Sequence, residues 1–396
     1  MRICAVSPFP PTRTGIADYG AFLVDGFAHD DRIEHVTVVA DRVAGAADRE
    51  VRGRIEIRRV WERDRVDVGP QVLRAIAATR ADVVWFNLGL TIFGDRLVGA
   101  ASGVSAALGA RLMGRPTVVT LHELPSLCDL PALGFDRARA IASGLAPSLL
   151  LRSDEVVVTL DRYRSHLVHR HGARNVTHIP HGLWDRAVWS AEPLGETVLV
   201  FGMFGPHKDP GLVAEAICRL RRSRPNVRLV IAGGDHPRYP GFMAACDARH
   251  HLGDSWIGYV PRESLPTLFA SATVTVVSAT ATSGSSGVIH RGVAHGRALL
   301  VSDLPDFRAL AAEEGLSFEW FAPGDVNALA DRLEALLRDP SRRRALVSHN
   351  LEAVASMPPS RTVDAYVDLF ARHDPALGVA NGRSRRQMRL ERRLEA

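Results

Sequence analysis

"TVLVFGMFGPHKDPGLVAEA", residues 197–216, decides the fold. Its first part, 197–202, is a continuous apolar run rich in β-branched residues. A turn containing Gly202 follows, and the helix-compatible stretch "DPGLVAEAICRL" comes next. A strand apolar at every position has both faces covered, which is the condition of a parallel sheet flanked by helices. The same unit recurs along the chain. Before it stand "RICAVS" (2–7), "HVTVVA" (35–40), "DVVWFN" (82–87), "PTVVTL" (116–121) and "EVVVTL" (155–160). After it stand "VRLVIAGG" (227–234), "SWIGYV" (255–260), "VTVVS" (274–278) and "LLVSD" (299–303). The weakly patterned segment 186–196 separates the two series, so the chain reads as two doubly wound α/β units joined near residue 190. The expected division is a first domain at 1–188, a second at 189–358, a helix at 359–375 crossing back to the first, and a basic, disordered tail at 376–396.

Composition agrees with two globular domains: 396 residues, 46% hydrophobic and 23% charged. The formal net charge of +5 lies almost entirely in "RSRRQMRLERRLEA" (383–396), which holds six arginines against two glutamates. The body is near neutral, which argues against a nucleic-acid partner and leaves only the tail for weak contact with an anionic membrane. The four cysteines are scattered without a CxxC pair, which favours reduced thiols and a cytoplasmic setting. The apolar stretch 97–114 is broken by glycines and Arg111 and reads as a buried helix rather than a membrane span.

Of 49 basic side chains, Lys208 is the one lysine. It stands where a strand gives way to a helix, and a compact ammonium there suits a phosphate. A plain surface cation is the alternative. The loop "TATSGSSGVIHRGVAHG" (280–296) follows another strand, and its small residues Ser283, Gly284, Ser285, Ser286 and Gly287 let backbone approach a ligand. With Lys208 it would make the second arm of a diphosphate clamp. Gly15, in "PPTRTGIADYGAF" (10–22), reads as a tight turn above the first strand and facing the cleft. His122 and Glu123 end a strand in "VVTLHELPS" (118–126), and His181 follows the first domain's last strand. A structural role is the alternative for each histidine. No HxxxH or DxD pair occurs, so no metal site is expected.

Taken together, "TGIADYGAFL", "VTLHEL", "IPHG", "VLVFGMFGPHKDPGLVAEA", "VPRESLPTLFASATVTVVS" and "GVAHGRALLVSDLPDFRAL" resemble a family 4 retaining glycosyltransferase of the GT-B fold over about residues 1–373. The resemblance implies two Rossmann-like lobes facing across a cleft. A nucleoside-diphosphate sugar would be the donor substrate, with no cofactor. The acceptor would be a carbohydrate, a lipid-linked or a small hydroxyl compound. By position, Gly15 would lie against the diphosphate, His122 would contact the transferred sugar, and Lys208 would neutralise the leaving group. Two departures stand out. Met203 occupies the place of an arginine, and Ser283 and Arg291 occupy the places of two glutamates. Arg291 would supply the cation that Met203 does not. The alternative is a GT-B protein without catalysis that binds nucleotide sugars or acts as a scaffold.

Overall fold

The computed structural model describes residues 1–281 and 284–374. Ser283 and the expected basic tail at 376–396 lie outside the described residues.

The first lobe is an eight-stranded sheet. Its strands are β1 (Arg2–Val6), β2 (His35–Asp41), β3 (Arg49–Arg52), β4 (Ile55–Trp61), β5 (Val83–Leu88), β6 (Thr117–Leu121), β7 (Glu155–Val158) and β8 (Val176–His178). Their spatial order is β3-β4-β2-β1-β5-β6-β7-β8. Helices α1 (Gly15–His29), α2 (Val68–Ala77), α3 (Leu97–Leu112), α4 (Arg137–Leu150) and α5 (Asp161–His171) cover it. The second lobe is a six-stranded parallel sheet in the order β11-β10-β9-β12-β13-β14. It is built from β9 (Thr197–Phe204), β10 (Arg228–Asp235), β11 (Trp256–Gly258), β12 (Val274–Val277), β13 (Ala298–Ser302) and β14 (Glu319–Phe321). Helices α6 (Gly211–Leu220), α7 (Phe242–His250), α8 (Leu265–Ala270), α9 (Gly287–Ala294), α10 (Pro305–Glu314), α11 (Val326–Arg338) and α12 (Pro340–Val354) accompany it. In both sheets the order reverses beside the first strand, so each lobe presents a crevice at its strands' carboxyl ends.

The last helix, α13 (Pro359–His373), packs into the first lobe. Val363, Tyr366, Val367, Leu369 and Phe370 are buried with Phe27 and Trp85, and the Tyr366 hydroxyl lies 2.8 Å from Thr120 Oγ1. Burying each such side chain is worth about 1.5–3 kcal/mol, enough to hold the helix on the lobe it follows only distantly in sequence.

Two elements differ from expectation. The edge strand β3 runs antiparallel to β4, and the segment 49–61 carries charges at alternate positions instead of a continuous apolar run. Its buried Glu56 is kept ionised by hydrogen bonds from Arg58 and Arg49, which hold the carboxyl down at about 2. Helix α3 is not wholly buried, since Val98 and Leu112 are 62% and 79% exposed. Its small residues face inward instead. Gly103 lies against Phe93 and Gly109 against Leu73, so close approach of the neighbouring elements selects glycine and sends the bulky side chains outward.

Candidate functional site

The two crevices face each other and are tied at both ends. At one end the Asp306 carboxylate of α10 accepts from Arg162 at 2.5 Å and from the Tyr163 hydroxyl at 2.7 Å, both on α5. Glu313 accepts from the amides of Asp161 and Arg162 at the start of α5. At the other end Arg238, after β10, pairs with Asp95 at 2.7 Å and donates to the carbonyls of Leu133 and Gly134.

Between these ties the chain turns sharply at Gly205, whose carbonyl accepts from the Lys208 amide at 2.8 Å. The turn delivers Lys208 from the carboxyl end of β9 into the cleft, where the opposing charge is Glu123, at the carboxyl end of β6 in the other lobe. Burial lowers the pKa of the Lys208 ammonium, and Glu123 works against that shift. Burial pushes the Glu123 carboxyl up to about 7, against the Leu90 amide, which donates to it at 3.0 Å, and against Lys208. The two groups thus bear on one another in opposite senses to their burial. At the start of α6 one amide is already taken, since Asp209 Oδ1 accepts from Gly211 N at 2.8 Å.

Two other helices bring open amides. Thr14 caps α1 by accepting from Ala17 N, and among the described residues Gly15 N and Ile16 N have no partner in the protein. Ser286 caps α9 by accepting from Ile289 N, and Gly287 N and Val288 N are likewise open. One helix N-terminus from each lobe thus borders the cleft. Gly15 is not the tight turn expected of it. It is the first residue of α1, and a Cβ there would meet nothing within 4 Å. Gly202 also differs, since it lies inside β9 rather than in the turn. Its φ of +147° matches the +138° of its register partner Gly233, where a side chain would collide with the Gly202 carbonyl.

The glycine loop crosses the cleft. Gly284, at φ +92°, donates from its amide to Asp306 at 3.2 Å, and a Cβ there would collide with the His122 carbonyl. Ser285 Oγ donates to Thr159 Oγ1 of the first lobe at 3.2 Å. Gly287 lies against Trp184 and His181. Ser283 falls outside the described residues.

His122 is buried and neutral, its pKa lowered by burial to about 4. Its tautomer follows from its neighbours. Asn87 Nδ2 donates to Ser7 Oγ at 2.9 Å and to the Ile16 carbonyl at 3.0 Å, so Asn87 Oδ1 is the acceptor that faces His122 Nε2 at 2.6 Å. The proton is therefore on Nε2, and Nδ1 is left as an acceptor. Tyr19 packs edge-on against this ring at 4.8 Å and also against His181. His181 is stacked on His290 at 4.8 Å and on Trp184 at 5.0 Å, and burial holds its pKa well below the ordinary value.

Arg291 does not stand with Lys208. Its guanidinium lies 4.8 Å over the Trp184 ring, 3.6 Å from Asp185 and 3.9 Å from Asp18. Among the described residues its Nη1 is buried without a hydrogen-bond partner, and it stands beside Trp184, Asp18 and Asp185 rather than in the cavity that Met203 lines, which corrects the expectation that it replaces the cation missing at Met203. Met203 itself lines a cavity of about 390 Å³ between the lobes. Sequence reasoning did not single out Arg13, which lines the same cavity, nor the Asp306 tie, nor the buried pair His290–Glu314 at 2.9 Å. Among the described residues no cluster of histidine, cysteine and carboxylate side chains is placed to hold a metal ion, and no helix is long and apolar enough to cross a membrane.

Residues 195–339 match the family described as Glycosyl transferases group 1. No curated protein matches the sequence. Among solved structures, sucrose-phosphate synthase from Thermosynechococcus elongatus overlays with a TM-score of 0.73 at 18% identity, over 94% of this chain and 100% of that one. Anabaena HepE in complex with UDP and glucose overlays at 0.68 and 16% identity, over 94% and 100%. The trehalose-phosphate synthase of Burkholderia xenovorans in complex with glucose-6-phosphate overlays at 0.68 and 13%, over 93% and 100%. The chain has the GT-B fold of these proteins.

Proposed function

We propose that the protein transfers a sugar from a nucleoside-diphosphate sugar to a hydroxyl acceptor, with retention at the reacting carbon and without a metal ion. One observation carries the reading. A half-buried ammonium at the carboxyl edge of one lobe lies opposite a half-buried carboxyl of raised pKa at the carboxyl edge of the other, in a cleft bordered by open helix amides. The group 1 match and the UDP-glucose complex of HepE support the same donor class.

In this reading Lys208 and the amides of Gly287 and Val288 hold the diphosphate from the second lobe, and those of Gly15 and Ile16 from the first. As the bond between sugar carbon and phosphate oxygen breaks, negative charge grows on the departing diphosphate beside Lys208, where fixed positive charge lowers the barrier most. The acceptor oxygen forms the new bond to that carbon, and its proton leaves with the diphosphate. His122 Nδ1 accepts from a hydroxyl of the sugar and orients it. The interlobe ties exclude water, so that transfer outpaces hydrolysis. Acceptor identity and peripheral contact with a membrane through the tail belong to the same proposal.

The test is release of nucleoside diphosphate from a panel of UDP-, GDP-, ADP- and dTDP-sugars. One donor should turn over, and Lys208→Ala should cut its rate by about 100-fold or more while the protein still folds cooperatively. A wild-type protein that binds a donor and never turns it over would support the non-catalytic reading, which Ser283 and Arg291 in place of carboxylates favour.

A further inference from the structure

A diphosphate carries more charge than one ammonium answers, and Lys208 already shares its field with Glu123. Among the described residues that the second lobe contributes to the interlobe cavity there is no cation, since its strand ends present Met203 and Gly234. Asp235 also lines that cavity, but its carboxylate is occupied in accepting from Gly241 N at 2.6 Å and Met243 N at 2.7 Å, where it fixes the start of α7. The opposite wall belongs to the first lobe and carries Thr12 and Arg13.

Arg13 has three properties of a ligand-binding cation. It forms no ion pair among the described residues, its guanidinium carbon sits 4.0 Å over the ring of Tyr259 on the other lobe, and its loop is rigidly based. The base is Asp41 and Arg59. Asp41 accepts from Phe9 N at 3.1 Å and Thr12 Oγ1 at 2.6 Å, and the buried Arg59 donates to the carbonyls of Phe9, Pro10 and Asp41. Stacking engages only the face of a guanidinium. Its N–H donors lie in the plane and stay free to fork onto phosphate oxygens.

We propose that Arg13 is the second diphosphate-binding cation of the donor site, supplied from the opposite lobe in place of the arginine absent at Met203, with Tyr259 as the platform that orients it. This rests on the donor class proposed above. It adds a side-chain cation to the main-chain amides of Gly15 and Ile16 on the first lobe's side of the grip, so the diphosphate is held fully only when the lobes are together.

The experiment is calorimetry on the full chain. UDP, GDP, ADP and dTDP are titrated first, and the tightest of them is then compared with its own nucleoside. Arg13→Ala should weaken the diphosphate about tenfold or more and leave the nucleoside unchanged. Arg13→Lys should recover part of the loss, and the double variant R13A/M203R most of it. Tyr259→Ala should weaken the diphosphate, and Tyr259→Phe should not. Arg13→Ala losing diphosphate and nucleoside alike, or losing neither while Lys208→Ala loses the diphosphate, overturns this inference and leaves the proposed function standing. A wild-type protein that binds none of the four overturns both.

Discussion

Glu123 and Lys208 stand at the carboxyl ends of β6 and β9 and bear on one another across the interlobe cleft. Their coupling sets a pH dependence. Burial raises the Glu123 carboxyl from 4.5 to about 7. A group raised on folding contributes stability that is present below its unfolded value and is lost as pH rises through its folded one. That contribution therefore fades between 4.5 and 7, at up to about 1.4 kcal/mol per pH unit. Above pH 7 the ionised carboxylate also competes with a diphosphate for Lys208. Affinity for a nucleotide sugar, whose phosphates do not titrate near neutrality, should fall as pH rises from 6 to 8.5. Glu123→Gln should flatten that profile. A wild-type profile already flat over this range would show that the two groups do not communicate.

The glycine loop makes a second, steric prediction. Gly284→Ala faces both a φ of +92° and the His122 carbonyl, and neither a main-chain oxygen nor a strand end yields cheaply. The loop must lift, taking with it the amide bond to Asp306. Loss of most transfer activity is expected, with destabilisation of about 2 kcal/mol or more by chemical denaturation. Unchanged activity would mean that the loop need not cross to the first lobe.

How much of this was legible beforehand follows from what each feature depends on. Most strands of the two sheets are continuous apolar runs, a local property, and these were readable to within a few residues; β4, with its alternating charges, and the three-residue β14 were not. Nor was β3, because its Arg-Glu-Val-Arg sequence is mostly charged and almost wholly exposed and resembles a charged loop. Lys208 stood out by its uniqueness. Arg13 carries no such mark among 49 basic residues, and its meeting with Tyr259 depends on how two lobes 246 positions apart in sequence come together. Arg291 illustrates the opposite failure. Its position was legible, but Asp18 and Asp185 reach it from the other lobe and from the crossover, so the carboxylates beside it could not be read from sequence.

His290 supplies a prediction about stability. Nδ1 lies 3.0 Å from the Ser286 carbonyl and Nε2 2.9 Å from the Glu314 carboxylate, and two acceptors require both nitrogens to carry protons. Burial opposes this charge, but Glu314 outweighs it, and the pKa is raised. The resulting stability is present below 6.5 and is lost as pH rises through the higher folded value. Glu314→Gln should destabilise the fold by about 3–5 kcal/mol at pH 6, where it strands a buried imidazolium, and by much less at pH 9. Urea unfolding at the two pH values measures this. An equal penalty at both would mean that His290 is neutral in the native state.

The tautomer of His122 yields the last prediction. Asn87 fixes the ring proton on Nε2 because its own amide donates to Ser7 and Ile16, and Nδ1 is thereby kept as an acceptor toward the cleft. Asn87→Leu removes that instruction and leaves His122 free to populate the other tautomer, which would present a donor where the sugar hydroxyl needs an acceptor. Turnover should fall about 10- to 100-fold with little change in donor affinity. His122→Gln, whose side-chain oxygen restores an acceptor, should be less impaired than His122→Leu. The two single losses should not add in N87L/H122L, because both act through the same nitrogen. Additive losses in that double variant would assign Asn87 a role in packing alone.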